Sequence, residues 1–515
     1  MIFSNVKKLQ SGSDKEFFEE LIEVYCRLVE VYCEKHRKNL FVSCEDINVV
    51  DELKSIGVIQ DADEMVLLKA VLCEKYDRFI NCVNYYASHK VEIGDLLDNL
   101  NNEKREELQR RATGPTVADF FCGAGGLSLG FIQNGFRIAL ANDIEDVCIQ
   151  TYKYNHPEVS TRQVIQGDIK NIVDDIDKYI SEDIDIVIGG PPCQGFSEAN
   201  RQRIINDPRN LLYKYYIQAV TRIVPKIVLM ENVKGMLKVA DQVVEDYENI
   251  DAVKGGIHYS YKASYRILNS QNFGVAQSRE RLIYLAIRND VMEKNAITPE
   301  GIFEKIVKEN TIKEPHKLSE ALQDIKPLQA PRIKNQNEID SEKCGKKIDV
   351  NDYENHNNKY LDLINTGRKI PYIYNHKARY VSDLNYEIYR KLDQGDDATD
   401  EKIKDIMPYA HRNHCFKDKY YKLIADRPCR TITAHLRMDC HSHIHPYQIR
   451  SLTPREAARV QSFPDDYLFL GAYLKTYMQI GNAVPPMMAR GIAKTLKKYI
   501  GETADENNTI DKKSE

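Results

Sequence analysis

A few short stretches of this chain hold side chains able to do covalent or proton-transfer chemistry. The sharpest is Gly189-Gly190-Pro191-Pro192-Cys193-Gln194-Gly195-Phe196-Ser197, a cysteine presented after two prolines. The preceding run, Ile184-Asp185-Ile186-Val187-Ile188, reads as a buried parallel strand stopped by the glycines. Proline fixes φ and removes backbone donors, so the turn is stiff. Its thiol stands at the carboxyl edge of a sheet, where ligands of open α/β folds bind. Cysteines are more often small core residues than nucleophiles, so what singles out Cys193 is its company. Glu231-Asn232-Val233 follows the apolar strand Ile227–Met230, which puts Glu231 on the same rim. Gln277-Ser278-Arg279-Glu280-Arg281 precedes the strand Leu282–Arg288. Alternate residues of an extended strand share a face, so Arg279 and Arg281 point together. Alone, the glutamate reads as solvated or as a helix-cap partner, and the arginines as a solvated pair. Opposite a thiol and a carboxylate, two guanidiniums suit a base carbonyl or a phosphate.

A second set of residues suits a nucleoside. Asp119-Phe120-Phe121-Cys122-Gly123-Ala124-Gly125-Gly126-Leu127 follows a strand and opens a helix through Phe131. Glycines there let a ligand approach the backbone closely. Asn142-Asp143-Ile144-Glu145 ends the next strand, where an acidic side chain accepts hydrogen bonds from ribose hydroxyls. Gly167-Asp168-Ile169 reaches an adenine edge from the third strand. The first turn lacks the GxGxxG spacing, which argues against NAD; a structural turn or a dinucleotide site otherwise has the same look. His435, Cys440, His441, His443 and His445 invite a zinc reading, but their spacing matches no familiar finger and no metal is expected.

These residues need a scaffold, and the chain is long enough for two or three domains at 515 residues. Hydrophobic content of 42% and charged content of 29% are those of a globular protein. No apolar run reaches a membrane span and the first ten residues lack a signal-peptide core. The 12 cysteines form no CxxC pairs, which suits a reducing cytoplasm. The net charge of −5 gives no global positive field, so any nucleic acid needs a local basic cleft.

Residues 13–110 read as helical: Phe17, Phe18, Leu21, Ile22, Tyr25, Leu28, Val29 and Tyr32 follow i, i+3, i+4, i+7 spacing, and a second amphipathic stretch runs from Met65 to Tyr86. Gly114-Pro115 marks a boundary. From Thr116 strands and helices alternate, with strands expected at Val117–Phe121, Arg137–Ala141, Asp185–Ile188, Ile227–Met230, Tyr261–Asn269 and Leu282–Arg288. This is the pattern of an α/β, doubly wound sheet. The last strands lack intervening helices, so that edge is expected to be antiparallel. Residues 290–430 are polar without a persistent period and read as an irregular domain; 450–500 return to α/β patterning. The tail after Gly501 reads as disordered.

Six blocks in fixed order make the chain resemble the DNA (cytosine-5) methyltransferases from Val117 to about Tyr499. They are the FxGxGG loop at Phe121–Gly126, PPCQGFS at Pro191–Ser197, ENV at Glu231–Val233, QSRER at Gln277–Arg281, RSLTPREAARVQSFPDDY at Arg450–Tyr467 and QIGNAVPP at Gln479–Pro486. The resemblance implies a Rossmann-like methyltransferase sheet (115–294), a target-recognition domain (295–449), a return completing the catalytic domain (450–500) and a helical extension of unassigned role (1–114). It also implies S-adenosyl-L-methionine as cofactor. Phe121, Gly123, Ala124, Gly125, Gly126 and Leu127 would line its methionine side and rings, Asp143 its ribose, and Ile144, Asp168 and Ile169 its adenine. Pro192, Leu212, Asn482, Ala483 and Val484 would close the pocket.

By the same resemblance, Cys193 adds to cytosine C6, Glu231 holds the N3/N4 edge and protonates N3, and Arg279 and Arg281 hold O2. Gln194, Ser197, Arg201, Gln202 and Arg203 would contact flipped DNA. Arg332–Lys334 and Lys343–Lys347 could touch phosphates, and Arg450–Tyr467 would support the recognition domain without reacting. The expected partner is double-stranded DNA in a bacterial, nucleoid-associated cytoplasm, with a cognate restriction endonuclease, and with a partner or second copy at the helical extension. Two other readings stand beside it: a tRNA cytosine-5 methyltransferase, and a catalytically inactive nucleic-acid-binding protein. The long insert before Arg450 favours DNA over the first, and intact Cys193, Glu231, Arg279 and Asn482 argue against the second.

Overall fold

The computed structural model describes residues 1–9, 11–40, 49–192, 211–334, 338–351, 357–366, 370–408 and 419–500. Two compact units emerge: Met1–Arg111, Gln150–Thr161 and Lys317–Asn482 form the first, and Ala112–Ile149, Arg162–His316 and the chain from Ala483 form the second.

The chain begins with helices α1 (Gly12–His36), α2 (Val49–Ser55), α3 (Glu64–Leu72), α4 (Tyr76–Ser88), α5 (Lys90–Ile93) and α6 (Asn102–Arg111). Ser11 and Asp14 form a capping box at the start of α1, and the stripe Phe18, Leu21, Ile22, Tyr25, Leu28 and Val29 is buried. That stripe shares one apolar core with Tyr154, Ile348, Tyr374, Leu468 and Leu470. The extension is therefore part of the first unit.

The second unit is the sheet. Its parallel portion alternates β1 (Thr116–Phe120), α7 (Gly126–Ile132), β2 (Arg137–Asp143), α8 (Asp146–Asn155), β3 (Val164–Gln166), α9 (Ile169–Asp174), β4 (Ile186–Gly189), α10 (Leu211–Ile223), β5 (Ile227–Val233) and α11 (Ala240–Glu248). A small hairpin, β6 (Ala252–Lys254) and β7 (Ile257–Tyr259), precedes β8 (Tyr261–Asn269) and β9 (Glu280–Arg288). The strand order is β3-β2-β1-β4-β5-β9-β8. The first five are parallel, and β9 runs antiparallel to both neighbours, as the missing helices implied. Buried β1, β4 and the first half of β5 are near-continuous apolar runs, because helices cover both faces of a parallel sheet. The order reverses between β1 and β4, and that switch point opens a crevice at their carboxyl ends.

Beyond β9 lie α12 (Asn289–Asn295) and α13 (Pro299–Asn310), then α14 (Leu318–Ala321), β10 (Gly345–Val350), α15 (Lys359–Ile364), β11 (Tyr372–Lys377), α16 (Asp383–Lys391), α17 (Pro454–Val460), α18 (Tyr473–Asn482) and α19 (Pro486–Lys497). β10 and β11 pair antiparallel. The units divide the chain elsewhere than the sequence does. α13 belongs with the sheet although it lies past 295, and Arg450–Asn482 belong with the first unit. Only α19 returns to the sheet, against α7, where a Cβ on Gly130 would stand 2.4 Å from that of Ala489. The tail after Gly501 lies outside the described residues.

Candidate active site

The turn after β1 is shaped by its backbone. Phe121, at φ 60°, and Gly123 and Gly125, at 52° and 91°, are all left-handed; for phenylalanine this costs on the order of 1–2 kcal/mol. The Cys122 N–H donates to Asn142 O (3.0 Å), and the Gly125 N–H to Cys122 O (2.9 Å). Asp143, at the end of β2, accepts the Gly123 N–H on one carboxylate oxygen and the Glu145 N–H on the other, each at 2.9 Å. Burial pushes its pKa up. Asp143 was expected toward a ribose; here it also fastens two turns together. Among the described residues, apart from Gly123 itself and its chain neighbours, no atom lies within 4 Å of where a Gly123 Cβ would stand, and Ile144 is 63% exposed. This open backbone beside exposed apolar surface fits a nucleoside.

Ala124, Gly126 and Leu127 are buried at the start of α7. Asn142 Nδ2 donates to Ile165 O (3.1 Å) and Gly167 O (3.0 Å), tying β3 to β2. Exposed Asp168 caps α9 through the Lys170 N–H (2.9 Å). Ile169 points into the core with Ile172 and Val173, so its side chain is not at the rim. Two residues without a role in the sequence reading reinforce the turn: Ser128 Oγ donates to Asp119 Oδ2 at 2.6 Å, and full burial raises the Asp119 pKa to about 8.

The second half of the rim follows β4 and β5. A Cβ on Gly189 would lie 2.4 Å from Phe120 O, so only glycine lets the two strand ends approach so closely. Glu231 stands beside the next residue, its Oε2 3.1 Å from a Cβ built on Gly190. Asn232 Nδ2 donates to Pro191 O (3.0 Å) and so holds the stiff turn in place. Antiparallel pairing sets Val233 opposite Arg281, and Arg281 Nε meets Glu231 Oε1 at 2.8 Å, both side chains mostly buried. Arg279 is 1% exposed. Burial, and then Arg281, pull its pKa down, while Glu231 pulls it up. Two guanidiniums thus share the field of one carboxylate beside Gly190.

Cys193 itself, with Gln194, Ser197, Arg201, Gln202 and Arg203, lies outside the described residues. Pro192 is exposed, Leu212 half-buried and Val484 buried. Asn482 is exposed at the end of α18 in the first unit, while Ala483 and Val484 open the return to the sheet.

Other candidates have structural partners. Arg450 forks onto Glu456 (2.7 and 2.6 Å) and Arg459 onto Asp465 (2.7 and 2.9 Å), all fully buried or nearly so. Three members of the histidine-cysteine cluster bond within the fold: His441 Nδ1 bonds Tyr389 Oη (2.7 Å), Cys440 Sγ donates to Leu436 O (3.3 Å), and His445 Nδ1 accepts two backbone N–H groups. Lys346 pairs with Glu342 and Asp349, Lys347 with Glu20 and Arg332 with Asp383, so these basic residues of the two stretches are engaged within the chain.

Residues 116–498 match the family model of the C-5 cytosine-specific DNA methylases. The chain is 31% identical over 409 residues to the Type II methyltransferase M.DdeI of Desulfomicrobium norvegicum, covering 74% of this chain and 88% of that one. It is 32% identical over 392 residues to M.FnuDI of Fusobacterium nucleatum, covering 75% and 94%. Among solved structures, a DNA modification methyltransferase encoded within an E. coli prophage aligns with a TM-score of 0.57 at 24% identity, covering 76% of this chain and all of that one.

Proposed function

Because the chain belongs to the C-5 cytosine-specific DNA methylases, of the restriction-modification type, we propose that it methylates carbon 5 of a cytosine flipped out of duplex DNA through a covalent bond from Cys193. C5 of cytosine is too electron-poor to attack an alkyl donor unaided. Addition of the Cys193 thiolate to C6 makes C5 an enamine carbon, and loss of the C5 proton with expulsion of the thiolate then restores the ring. Glu231 holds the N3/N4 edge and delivers a proton at N3 as charge builds there; such assistance is worth about 10²–10⁴-fold. Arg281 orients Glu231, and Arg279 with it favours the thiolate and binds O2. Flipping the base out of the stack costs a few kcal/mol, met by contacts from Gln194, Ser197, Arg201, Gln202 and Arg203.

The methyl donor is S-adenosyl-L-methionine, which supplies a methyl group on a sulfonium. The open Gly123 backbone, the exposed Ile144 and the Asp143 carboxylate would hold it, with Phe121, Ala124, Gly125, Gly126, Leu127, Asp168, Pro192, Leu212, Asn482, Ala483 and Val484. On this reading residues 115–294 and 450–500 are catalytic, 295–449 read the target sequence, and a cognate endonuclease shares the bacterial cytoplasm. Among the described residues no helix is long and apolar enough to cross a membrane.

The observation that carries the proposal is the Glu231–Arg281 pair beside Gly190, on a turn whose Pro191 carbonyl is held by Asn232. Tritiated methyl transfer offered side by side to duplex DNA and tRNA should label the DNA. Label on tRNA alone would reverse the substrate. Duplex carrying 5-fluorocytosine at the target should trap an adduct, since fluorine blocks the elimination; a trapped peptide containing a cysteine other than Cys193 would refute the nucleophile.

A further inference from the structure

The first 111 residues lie outside the part matched to the methylase family, and their contacts assign them a task. Glu20, Arg27 and Lys35 rise along one side of α1 at near-heptad spacing. Glu20 sits where two distant segments meet: its Oε1 accepts the Gly471 N–H at 2.8 Å and pairs with the Lys347 ammonium on β10. Arg27, itself gripped by Glu34 (2.6 and 3.0 Å), donates from Nε to Ile348 O at 3.0 Å. Lys35 reaches Asn351 O at 3.5 Å. Around Glu20 apolar packing does not close the junction. A cavity of about 370 Å³, lined by Glu20, Val24, Arg27, Lys347, Lys377 and Tyr473, opens beside Glu20 at the edge of the shared core. Beside the apolar core that α1 shares with Ile348 and Tyr374, these polar contacts hold β10 where the space around Glu20 is left open.

We propose that the N-terminal extension is a built-in brace of the recognition unit, with Glu20 the positioning residue that fixes the β10–β11 hairpin and the 468–473 segment for DNA. The proposal rests on the reading that residues 295–449 recognise DNA. Glu20 touches no reacting atom; its loss leaves the Lys347 ammonium and the Gly471 N–H without their shared acceptor, and the hairpin is free to shift.

The test uses the full-length protein and unmethylated phage duplex DNA, comparing wild type, E20Q, K347Q and the double variant. Loss of one charge-assisted hydrogen bond should raise KM for DNA roughly tenfold. kcat and KM for S-adenosyl-L-methionine should stay within about twofold, and the double variant should be no worse than E20Q alone. E20D, which keeps the charge, should recover part of the loss. A KM for DNA unchanged in both single variants overturns the proposal, as does a drop in kcat and thermal midpoint with KM unmoved. K347Q, on a partly exposed lysine, reports on the same contact if E20Q folds poorly. Wild-type protein that leaves duplex DNA unlabelled would overturn the activity instead, which separates the two failures.

Discussion

The stretches Gln277–Arg281 and Arg450–Tyr467 are both arginine-rich, and both put their arginines out of solvent, yet the two regions use them in opposite ways. In the second, buried guanidiniums are matched to acceptors of their own: Arg450 to Glu456, Arg459 to Asp465, and Arg455 to the carbonyls of Tyr374 (2.8 Å) and Pro464 (2.8 Å). In the first, Arg279 and Arg281 both feel one carboxylate, Glu231. On the reading proposed above, the guanidiniums gathered around one shared carboxylate serve a substrate's polar edge, whereas those of the second stretch hold the fold. Sequence motifs alone do not make this distinction, since each block holds both arginines and carboxylates.

The comparison can be broken at several points. Cys193→Ala, the nucleophile of the proposed reaction, should lower turnover by about 10⁴-fold or more while calorimetry still finds cofactor binding; retained methylation would end its role. Glu231→Gln should cost about 10²–10⁴-fold in kcat of the folded fraction, beyond any loss of thermal midpoint from Arg281 left without its carboxylate. Arg450→Met should do the reverse: it strands a buried Glu456, so chemical denaturation should show a loss of about 3–5 kcal/mol, with kcat of the folded fraction near wild type.

Acid gives a finer test. Burial holds His376 and His445 neutral, with pKa values lowered from 6.5 to about 4 and about 3. The unfolded chain takes up these protons first. The share of stability from these two histidines is therefore complete above pH 6.5 and falls as pH drops, by up to about 2.7 kcal/mol per pH unit near pH 5. A denaturation midpoint flat from pH 7 to 4.5 would contradict that arrangement.

Asp119→Asn should have the smallest effect. With a pKa of about 8 the native carboxyl is mostly protonated at neutral pH, so the amide replaces a neutral group. A raised carboxyl pKa means the native state binds its proton more tightly than the unfolded chain. Its share of stability accordingly declines from about pH 4 to 8, and the variant should lack that decline while keeping activity within about threefold.

Much of the sheet was legible because buried parallel strands are short apolar runs and the antiparallel edge lacks crossover helices. Tyr261–Asn269 is found where expected, and β1, β2, β4, β5 and β9 differ at their ends by one to three residues. The rim residues Glu231 and Arg281 were legible from strand position. Asn232 was not, since nothing in the sequence says that its amide reaches the Pro191 carbonyl. Asp143 was read as a ligand for a ribose, and its second duty to two backbone N–H groups depends on a turn geometry that only left-handed residues create. β10 and β11 escaped notice because GKKIDV and YIYNHK lack clean alternation. The allegiance of α1 to Leu468 and Leu470 is a contact between chain ends that no local period encodes.

The seat of α19 on Gly130 has a consequence for synthesis. A nascent chain presents α7 to water until Pro486–Lys497 leaves the ribosome and covers it. The sheet is thus finished by a helix translated long after its strands, and a chain halted short of it should carry the motifs of a methyltransferase without becoming one.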